Sequence, residues 1–284
     1  MSFPKLTRAG FLALAAFLAA CTPSPAFLNV LVPKSGYHVV RGLAYGADPR
    51  QKLDVYVPDH LAGEAPVLLF FYGGAWQSGS REQYLAFGQA FASLGIVTVV
   101  ADYRLYPQVT WPAFVDDGAS AMGWVHHHIA QYGGDPARLF VSGHSAGGYI
   151  AAMLGSDPKY LAAAGDDFSW VRGVIGISGP YDFLPLTDSA YIAIFHGANN
   201  HGAMPVNHID GRRPPMLLAW GLDDTTVGAV NIDHMEAALI KAGSPVETRR
   251  YPGTGHIGIL LSLVPGFRGR TTLRQDIAAF IQSH

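Results

Sequence analysis

A serine flanked by glycines is the residue of this sequence best suited to covalent chemistry. Residues 143–148 read Gly-His-Ser-Ala-Gly-Gly, so Ser145 has a glycine two positions away on either side. An apolar run at 138–142 precedes this stretch and helix formers at 149–154 follow it, which predicts a strand, a tight turn and a helix. In that setting the hydroxyl projects from the sheet edge, and the positive end of the helix faces any anion formed there. The alternative is a glycine-rich turn with an incidental serine.

A serine hydroxyl is a poor nucleophile until a base removes its proton, and the base expected here is an imidazole held by a carboxylate. Of the 12 histidines, His256 is the best candidate, because it follows the last predicted strand in the glycine-rich loop Gly-Thr-Gly-His-Ile-Gly. The consecutive histidines 126–128 point in three directions on a predicted helix, unlike metal ligands at i and i+4, so we assign them to the surface. His144 adjoins the serine, and we expect it to line the turn or the pocket.

Three aspartates are candidates for the carboxylate that orients the imidazole. Asp223 and Asp224 follow the strand before the His256 loop, and Asp182 follows the strand before that one. The chain order of serine, acid and histidine suits a sheet whose reactive groups gather at the carboxyl ends of its strands. We expect one of the two adjacent aspartates to orient the imidazole and the other to cap the next turn, with Asp182 as the remaining alternative. The residues alone leave the choice between them open.

Attack on an ester carbonyl creates a negative oxygen, which needs donors already aimed at it. Gly73 and Gly74 follow an early apolar strand and allow the main chain to approach closely. We expect an oxyanion hole made by the backbone amides of Gly74, Ala75 and Ala146, each contributing about 3 kcal/mol. A plain turn is the alternative for the glycine pair. Trp76 is either a wall of the acyl pocket or packing beneath this loop.

The elements that must position these groups alternate along the chain. Strands separated by helices of about a dozen residues or more predict the α/β class, with a mostly parallel central sheet and helices on both faces. The predicted strands are 53–57, 67–72, 96–101, 138–142, 171–177, 216–220 and 246–251, and the predicted helices are 81–94, 113–132, 149–154, 230–242 and 271–282. The segment 184–215 lacks a clear period, and we expect it to shape the leaving-group pocket.

Composition limits the function classes. A chain of 284 residues with 49% hydrophobic residues suits one large α/β domain, predicted at 41–284. Its net charge of −2 carries no basic footprint, so we expect no nucleic-acid partner. We also expect no cofactor and no metal, because the sequence has neither a phosphate-binding glycine pattern nor the spacing of a calcium or zinc site. Nothing indicates the oligomeric state.

The N-terminus is typical of a secretory signal. Lys5 and Arg8 precede an uncharged run at 9–20, which is too short for a membrane span of about 20 residues. The run ends Leu-Ala-Ala-Cys, which resembles the lipobox of bacterial lipoproteins and implies lipidation of Cys21, the only cysteine. We therefore expect a signal peptide at 1–21, a tether and lead-in at 22–40, and a lipid anchor in the bacterial cell envelope. An ordinary signal peptide with a chance cysteine is the alternative.

Several motifs together resemble the α/β-hydrolases. They are the Gly-Gly-Asp-Pro at 133–136, the Gly-His-Ser-Ala-Gly-Gly at 143–148, the Asp-Tyr-Arg-Leu at 102–105 and the Gly-Pro-Tyr-Asp-Phe at 179–183. Within that superfamily the chain is similar to the esterase branch that includes hormone-sensitive-lipase-like carboxylesterases, feruloyl and acetyl-xylan esterases and kynurenine formamidases.

The resemblance implies roles for individual residues. In the acid loop Gly-x-x-Asp-x-x-Val, Gly221, Asp224 and Val227 fall on the fixed positions, which selects Asp224 as the acid beside Ser145 and His256. Tyr181 joins Trp76 and His144 as an expected pocket residue. The usual His-Gly-Gly-x-Trp oxyanion segment begins here with Tyr72, so we expect the bracing of that loop to differ.

The activity implied by the resemblance is cleavage of carboxylic esters of small or aryl substrates through an acyl-enzyme. The alternatives are an arylformamidase or amidase that uses the same three residues, and a catalytically silent lipoprotein on the same fold.

Overall fold

The computed structural model describes residues 29–284. The predicted signal peptide, Cys21 and the first part of the predicted tether lie outside the described residues. The predicted domain boundary at 41 falls inside the first strand of the sheet, which begins at Tyr37.

Within residues 29–284 a single sheet of eight strands forms the centre of the molecule, in the order β1-β2-β4-β3-β5-β6-β7-β8. The strands are β1 (Tyr37–Ala44), β2 (Lys52–Pro58), β3 (Ala65–Phe71), β4 (Val97–Ala101), β5 (Gly134–His144), β6 (Gly173–Ile177), β7 (Met216–Gly221) and β8 (Val246–Tyr251). The β1–β2 and β2–β4 pairs are antiparallel, and every other pair is parallel. The predicted mostly parallel sheet is therefore confirmed.

Eight α-helices occur in the described part of the chain. They are α1 (Leu85–Ala92), α2 (Ala113–His128), α3 (Ala146–Ser156), α4 (Lys159–Ala164), α5 (Ser189–Ile194), α6 (Val230–Lys241), α7 (Gly258–Leu261) and α8 (Leu273–Ser283). Short 3-10 helices lie at Asn29–Leu31, Arg81–Tyr84, Ile129–Tyr132, Phe168–Trp170, His201–Ala203 and Pro205–His208. None of the helices in residues 29–284 is both long enough and apolar enough to cross a membrane.

The sequence missed β1, α4, α5 and α7. The side chains of β1 are mostly half-buried or exposed, because this strand is the edge of the sheet and has a neighbour on one side only. Helices α4, α5 and α7 are short, at six, six and four residues, and too brief for an apolar period to show. Each of the two longest predicted helices is part α-helix and part 3-10 helix. The 3-10 turn comes first in the predicted helix 81–94 and last in the predicted helix 113–132.

The buried centre of the sheet explains the apolar runs of the sequence. All five residues of β4 and all five of β6 are buried, as expected for strands in a sheet that is covered on both faces. Strands β3, β5, β6, β7 and β8 are neighbours and parallel, so their carboxyl ends meet at one edge. The loops that follow β3, β5, β7 and β8 carry the predicted nucleophile, acid, base and oxyanion donors.

Candidate active site

Ser145 occupies the sharp turn between β5 and α3. Its φ of 53° lies in the left-handed region, which is strained for a residue with a side chain. A Cβ on Gly143 would come within 2.1 Å of the Gly147 carbonyl oxygen, as expected for a collision across the turn. A Cβ on Gly147 would instead meet the carbonyl oxygen of Phe71 in β3 at 2.0 Å. The second glycine is therefore required by the neighbouring strand as well as by the turn.

The three predicted polar groups form a continuous chain of hydrogen bonds. His256 Nε2 lies 2.9 Å from Ser145 Oγ, and His256 Nδ1 lies 2.8 Å from Asp224 Oδ2. The Asp224 carboxylate is fully buried and the imidazole is 11% exposed, whereas the serine is partly open to solvent. Since Asp224 accepts from Nδ1–H, the lone pair of Nε2 is directed at the serine hydroxyl. The imidazole is placed to remove the hydroxyl proton.

The structure separates the three candidate aspartates. Asp224 is buried and its Oδ1 accepts the backbone N–H groups of Thr226 and Val227 at 2.9 Å each, which leaves Oδ2 for the imidazole. Asp223 is exposed. The Asp182 carboxylate pairs with His234 at 2.6 Å. Only Asp224 contacts His256 among these three.

The environment of Asp224 favours its charged form. Burial by itself would raise the pKa of this carboxyl, but hydrogen bonds from His256 and from the Val227 and Thr226 amides hold the pKa below its usual value. The carboxylate can therefore stabilise a positive imidazolium without taking its proton.

In the part of the chain that the structure describes, three backbone amides at the serine have no hydrogen-bond acceptor. Within residues 29–284, the N–H groups of Gly74, Ala75 and Ala146 donate to neither a backbone carbonyl nor a side chain, whereas the N–H of Ser145 donates to Ile177 in β6 at 2.9 Å. Gly74 and Ala75 have φ of 140° and 53°, a region that is unfavourable for a residue with a side chain such as Ala75. Unpaired donors in such a loop are suited to an oxyanion.

Tyr72, in place of the usual histidine, braces this loop. Its hydroxyl donates to Asp102 Oδ1 at 2.8 Å and accepts from Arg50 Nη2 at 2.7 Å, and its carbonyl accepts the Tyr103 hydroxyl at 2.8 Å. Asp102 is further paired with Arg81. The loop is thus braced by a partly buried ionic network around Tyr72 and Asp102.

A cavity of about 300 Å³ opens beside Ser145. Its walls come from the oxyanion loop, from the loop after β6, from the acid loop, from α6 and from the segment 184–215. The lining residues are Ala75, Trp76, Ser145, Pro180, Phe183, Pro185, Leu186, Thr187, Asp188, Tyr191, Thr226, Val227 and Asn231. The structure thus places part of the 184–215 segment, which contains α5, at the cavity.

Trp76 both forms a wall of the cavity and packs against neighbouring aromatic rings. It lines the cavity and is 4% exposed. Its ring packs edge-on against Tyr149, Tyr191 and Phe195, with centroids 5.3, 6.1 and 4.9 Å away. Tyr149 also donates its hydroxyl to the Ala203 carbonyl at 2.7 Å, which ties the 184–215 segment to α3. The aromatic wall is therefore packed against both α3 and the 184–215 segment.

Two residues predicted to line the pocket do not lie at the cavity. Tyr181 is 2% exposed, and its ring fills the space beside Gly176 and Gly179. His144 is also 2% exposed, and its ring lies 4.7 Å from that of His256. Both side chains turn into the protein because the adjacent glycines leave room for a ring there.

Several residues that line the cavity were not predicted from the sequence. Leu186, Asp188 and Tyr191 belong to a segment without a clear period, so their direction could not be predicted. Asn231 begins the predicted helix 230–242, and its Oδ1 accepts the Tyr181 amide at 2.7 Å. A polar residue at a buried position of that helix was the one available signal.

The three consecutive histidines lie away from the serine. His126 stacks on Trp170 with centroids 3.6 Å apart, and His128 stacks on Trp124 at 4.6 Å. Across residues 29–284 no group of three or more His, Cys, Asp or Glu side chains is placed to hold a metal ion.

Comparison with known proteins places this arrangement in a family. The BD-FAE family model matches residues 53–239. A probable isoprenylcysteine alpha-carbonyl methylesterase, ICMEL1 of Arabidopsis thaliana, is 31% identical over 79% of this chain and 52% of its own length. A probable carboxylic ester hydrolase, LipM of Mycobacterium tuberculosis, is 34% identical over 73% of this chain and 53% of its own. The chain thus spans about half the length of these two relatives.

A solved structure supports the same conclusion. The thermophilic esterase Est2 of Thermogutta terrifontis, with propionate bound, is 27% identical, covers 88% of this chain and 96% of its own, and superposes with a TM-score of 0.72. The predicted α/β-hydrolase fold is confirmed by this likeness and by the sheet topology. The chain belongs to the BD-FAE family, within the esterase branch of the α/β-hydrolases.

Proposed function

We propose that the chain is a serine hydrolase that cleaves carboxylic esters of small or aryl substrates through an acyl-enzyme. The observation that carries the proposal is the unbroken chain of hydrogen bonds from Ser145 through His256 to Asp224, at 2.9 and 2.8 Å. At the Ser145 end of this hydrogen-bonded series lie three backbone amides that have no acceptor within residues 29–284. Nucleophile, base, orienting acid and charge-stabilising donors are the four parts that acyl transfer requires.

The reaction begins when Ser145 Oγ attacks the ester carbonyl carbon and His256 Nε2 takes the hydroxyl proton. The carbonyl oxygen becomes negative and accepts hydrogen bonds from the Gly74, Ala75 and Ala146 amides. Asp224 stabilises the imidazolium. When the tetrahedral intermediate collapses, the alcohol leaves with the proton from Nε2 and the acyl group stays on the serine. Water, activated by the same imidazole, then attacks the acyl-enzyme, and the carboxylic acid is released.

The cavity supports a small or aryl substrate. Its volume of about 300 Å³ lies at the lower end of the usual range for ligand sites, and Trp76, Phe183 and Tyr191 supply aromatic surface. The Thermogutta terrifontis esterase has been solved with propionate and with butyrate bound. Short acyl groups are therefore the first to test on this chain.

The test uses the chromogenic ester p-nitrophenyl acetate and a series of longer acyl chains. We expect turnover by the wild type, none above background by Ser145→Ala, and labelling of Ser145 by a fluorophosphonate probe. N-formylkynurenine serves as the competing substrate. Preference for N-formylkynurenine would support the arylformamidase alternative, and failure of the probe to label Ser145 would support a silent protein.

We also propose that the mature protein is anchored to the bacterial cell envelope by lipid on Cys21. The support comes from the sequence alone: the basic residues, the short apolar run and the Leu-Ala-Ala-Cys ending. In membrane fractionation we expect the wild type to sediment with membranes and Cys21→Ala to become soluble after processing. Continued sedimentation of Cys21→Ala, with Ser24→Ala as the control, would refute the anchor.

A further inference from the structure

His144, the residue before the serine, is buried and takes no part in the proton transfer described above. Its Nε2 lies 2.9 Å from the carbonyl oxygen of His256, and the two rings are 4.7 Å apart. A carbonyl oxygen only accepts, so Nε2 must carry the proton and donate it. The side chain adjoining the nucleophile therefore bonds to the backbone of the residue that serves as its base.

The carbonyl of His256 has no other donor among the described residues. Its two neighbours are used by the short helix that follows: the Gly255 carbonyl accepts the Ile259 amide at 3.1 Å, and the Ile257 carbonyl accepts those of Leu260 and Leu261, also at 3.1 Å. Among the described residues, no backbone amide therefore donates to the carbonyl of His256. Without His144 this carbonyl would have no partner among the described residues, and the loop would lose a direct bond to the strand that leads into Ser145.

The other face of His144 contacts the oxyanion loop. A Cβ placed on Gly73 would lie 2.9 Å from His144 Nδ1 and 3.0 Å from Ser145 Cβ. Nδ1 is buried and has no hydrogen-bond partner among the described residues, so nothing competes for the neutral tautomer with its proton on Nε2. His144 thus packs between the loop that bears His256 and the loop that bears the oxyanion donors.

We propose that His144 is a positioning residue, whose Nε2–H bond to the His256 carbonyl holds the His256 loop in reach of Ser145. This inference rests on the proposed function, because positioning matters only if His256 acts on Ser145. Burial, and secondarily the nearby His256, lower the pKa of His144 to about 3, so the donor stays neutral and intact at ordinary pH.

The test compares two substitutions at this position with a surface control. His144→Gln keeps an N–H donor near the position of Nε2, His144→Leu fills much of the same space without a donor, and His128→Gln changes an exposed histidine. We expect kcat on p-nitrophenyl acetate to fall about tenfold in His144→Leu, from the loss of one hydrogen bond to the partly buried His256 carbonyl, with KM nearly unchanged. His144→Gln should recover most of kcat, and His128→Gln should match the wild type.

A second measurement does not depend on activity. Hydrogen–deuterium exchange of a peptide covering residues 253–261 should be faster in His144→Leu than in the wild type, and close to wild type in His144→Gln. If the wild type hydrolyses no ester, the proposed function fails, and the exchange data still decide whether His144 holds the loop. Equal exchange in the wild type and His144→Leu, or equal loss of kcat in the Leu and Gln variants, would overturn the proposal.

Discussion

Asp224 Oδ2 lies 2.8 Å from His256 Nδ1, while Oδ1 of the same carboxylate accepts two backbone amides of its own loop. The carboxylate is thereby fixed at one end and directed at the imidazole with the other. This arrangement explains why the acid loop needs an aspartate at position 224 and not at 223, whose side chain points to solvent.

The first prediction separates the two aspartates. Asp224→Asn should lower kcat by about 10⁴, because the amide cannot hold the imidazole in the required tautomer or stabilise its cation. Asp223→Asn is the matched control, and we expect its kcat to stay within a few-fold of wild type. Initial rates on p-nitrophenyl acetate measure both. Similar losses in the two variants would contradict the assignment.

The second prediction concerns the oxyanion loop. In Gly74→Ala a Cβ would come within 2.1 Å of the Ser78 carbonyl oxygen, so the loop must shift and carry its amides away from the substrate oxygen. Losing one oxyanion donor typically lowers kcat by about 10²–10³. We expect a loss of this size with a small change in KM, measured by steady-state kinetics. Gly63→Ala, where a Cβ meets nothing within 4 Å, should leave both constants unchanged. A variant changed only in KM would show that the loop binds substrate without stabilising the oxyanion.

The third prediction tests the turn that presents the serine. Gly147→Ala would place a Cβ 2.0 Å from the Phe71 carbonyl oxygen, and backbone atoms of β3 cannot give way cheaply. We expect the free energy of unfolding to fall by about 3 kcal/mol or more, measured by urea titration. Gly228→Ala, with open space at its Cβ, is the control and should change little. A wild-type midpoint for Gly147→Ala would mean that the turn relaxes more freely than its contacts indicate.

The fourth prediction follows from the lowered pKa of Asp224. A carboxyl titrates at about 3.9 in an unfolded chain. Because the pKa of Asp224 is lower in the folded protein, the folded state binds fewer protons than the unfolded state at a pH between the two pKa values. The resulting stabilisation is fully present above the unfolded pKa. It is lost as pH falls through the folded pKa. Below about pH 4 the free energy of unfolding should therefore decline more steeply for the wild type than for Asp224→Asn. Urea titrations at a series of acid pH values compare the slopes, and parallel slopes would exclude a lowered pKa.

The fifth prediction concerns Tyr72. Tyr72→Phe removes the donor to Asp102 and the acceptor for Arg50 from a buried network. We expect the free energy of unfolding to fall by about 1–2 kcal/mol, the usual effect of leaving a buried polar group without its partner. Tyr37→Phe is the control, since the Tyr37 hydroxyl has no hydrogen bond within the described residues, and it should stay close to wild type. An unchanged Tyr72→Phe would show that water replaces the hydroxyl.

Patterns within short stretches of sequence were enough to predict the fold and the reactive groups. The alternation of strands and helices is a periodicity within short windows, and it indicated a mostly parallel sheet before any contact was known. The setting of Ser145 between a strand and a helix, and of His256 in a glycine-rich loop after the last strand, is equally local. The parallel order of the strands then required these groups to meet at one edge.

Tertiary packing decided the directions of side chains. His144 and Tyr181 turn away from the cavity, Tyr72 joins an ionic network with Arg50 and Asp102, and part of the 184–215 segment reaches the cavity through contacts such as that of Tyr149. None of these follows from the spacing of residues, because each depends on which distant backbone leaves room for a ring or offers a polar partner. The sequence by itself determined which chemical groups are present and which strand ends carry them. Only the packed structure determined which way those groups face, since that is settled by contacts between segments far apart in the chain.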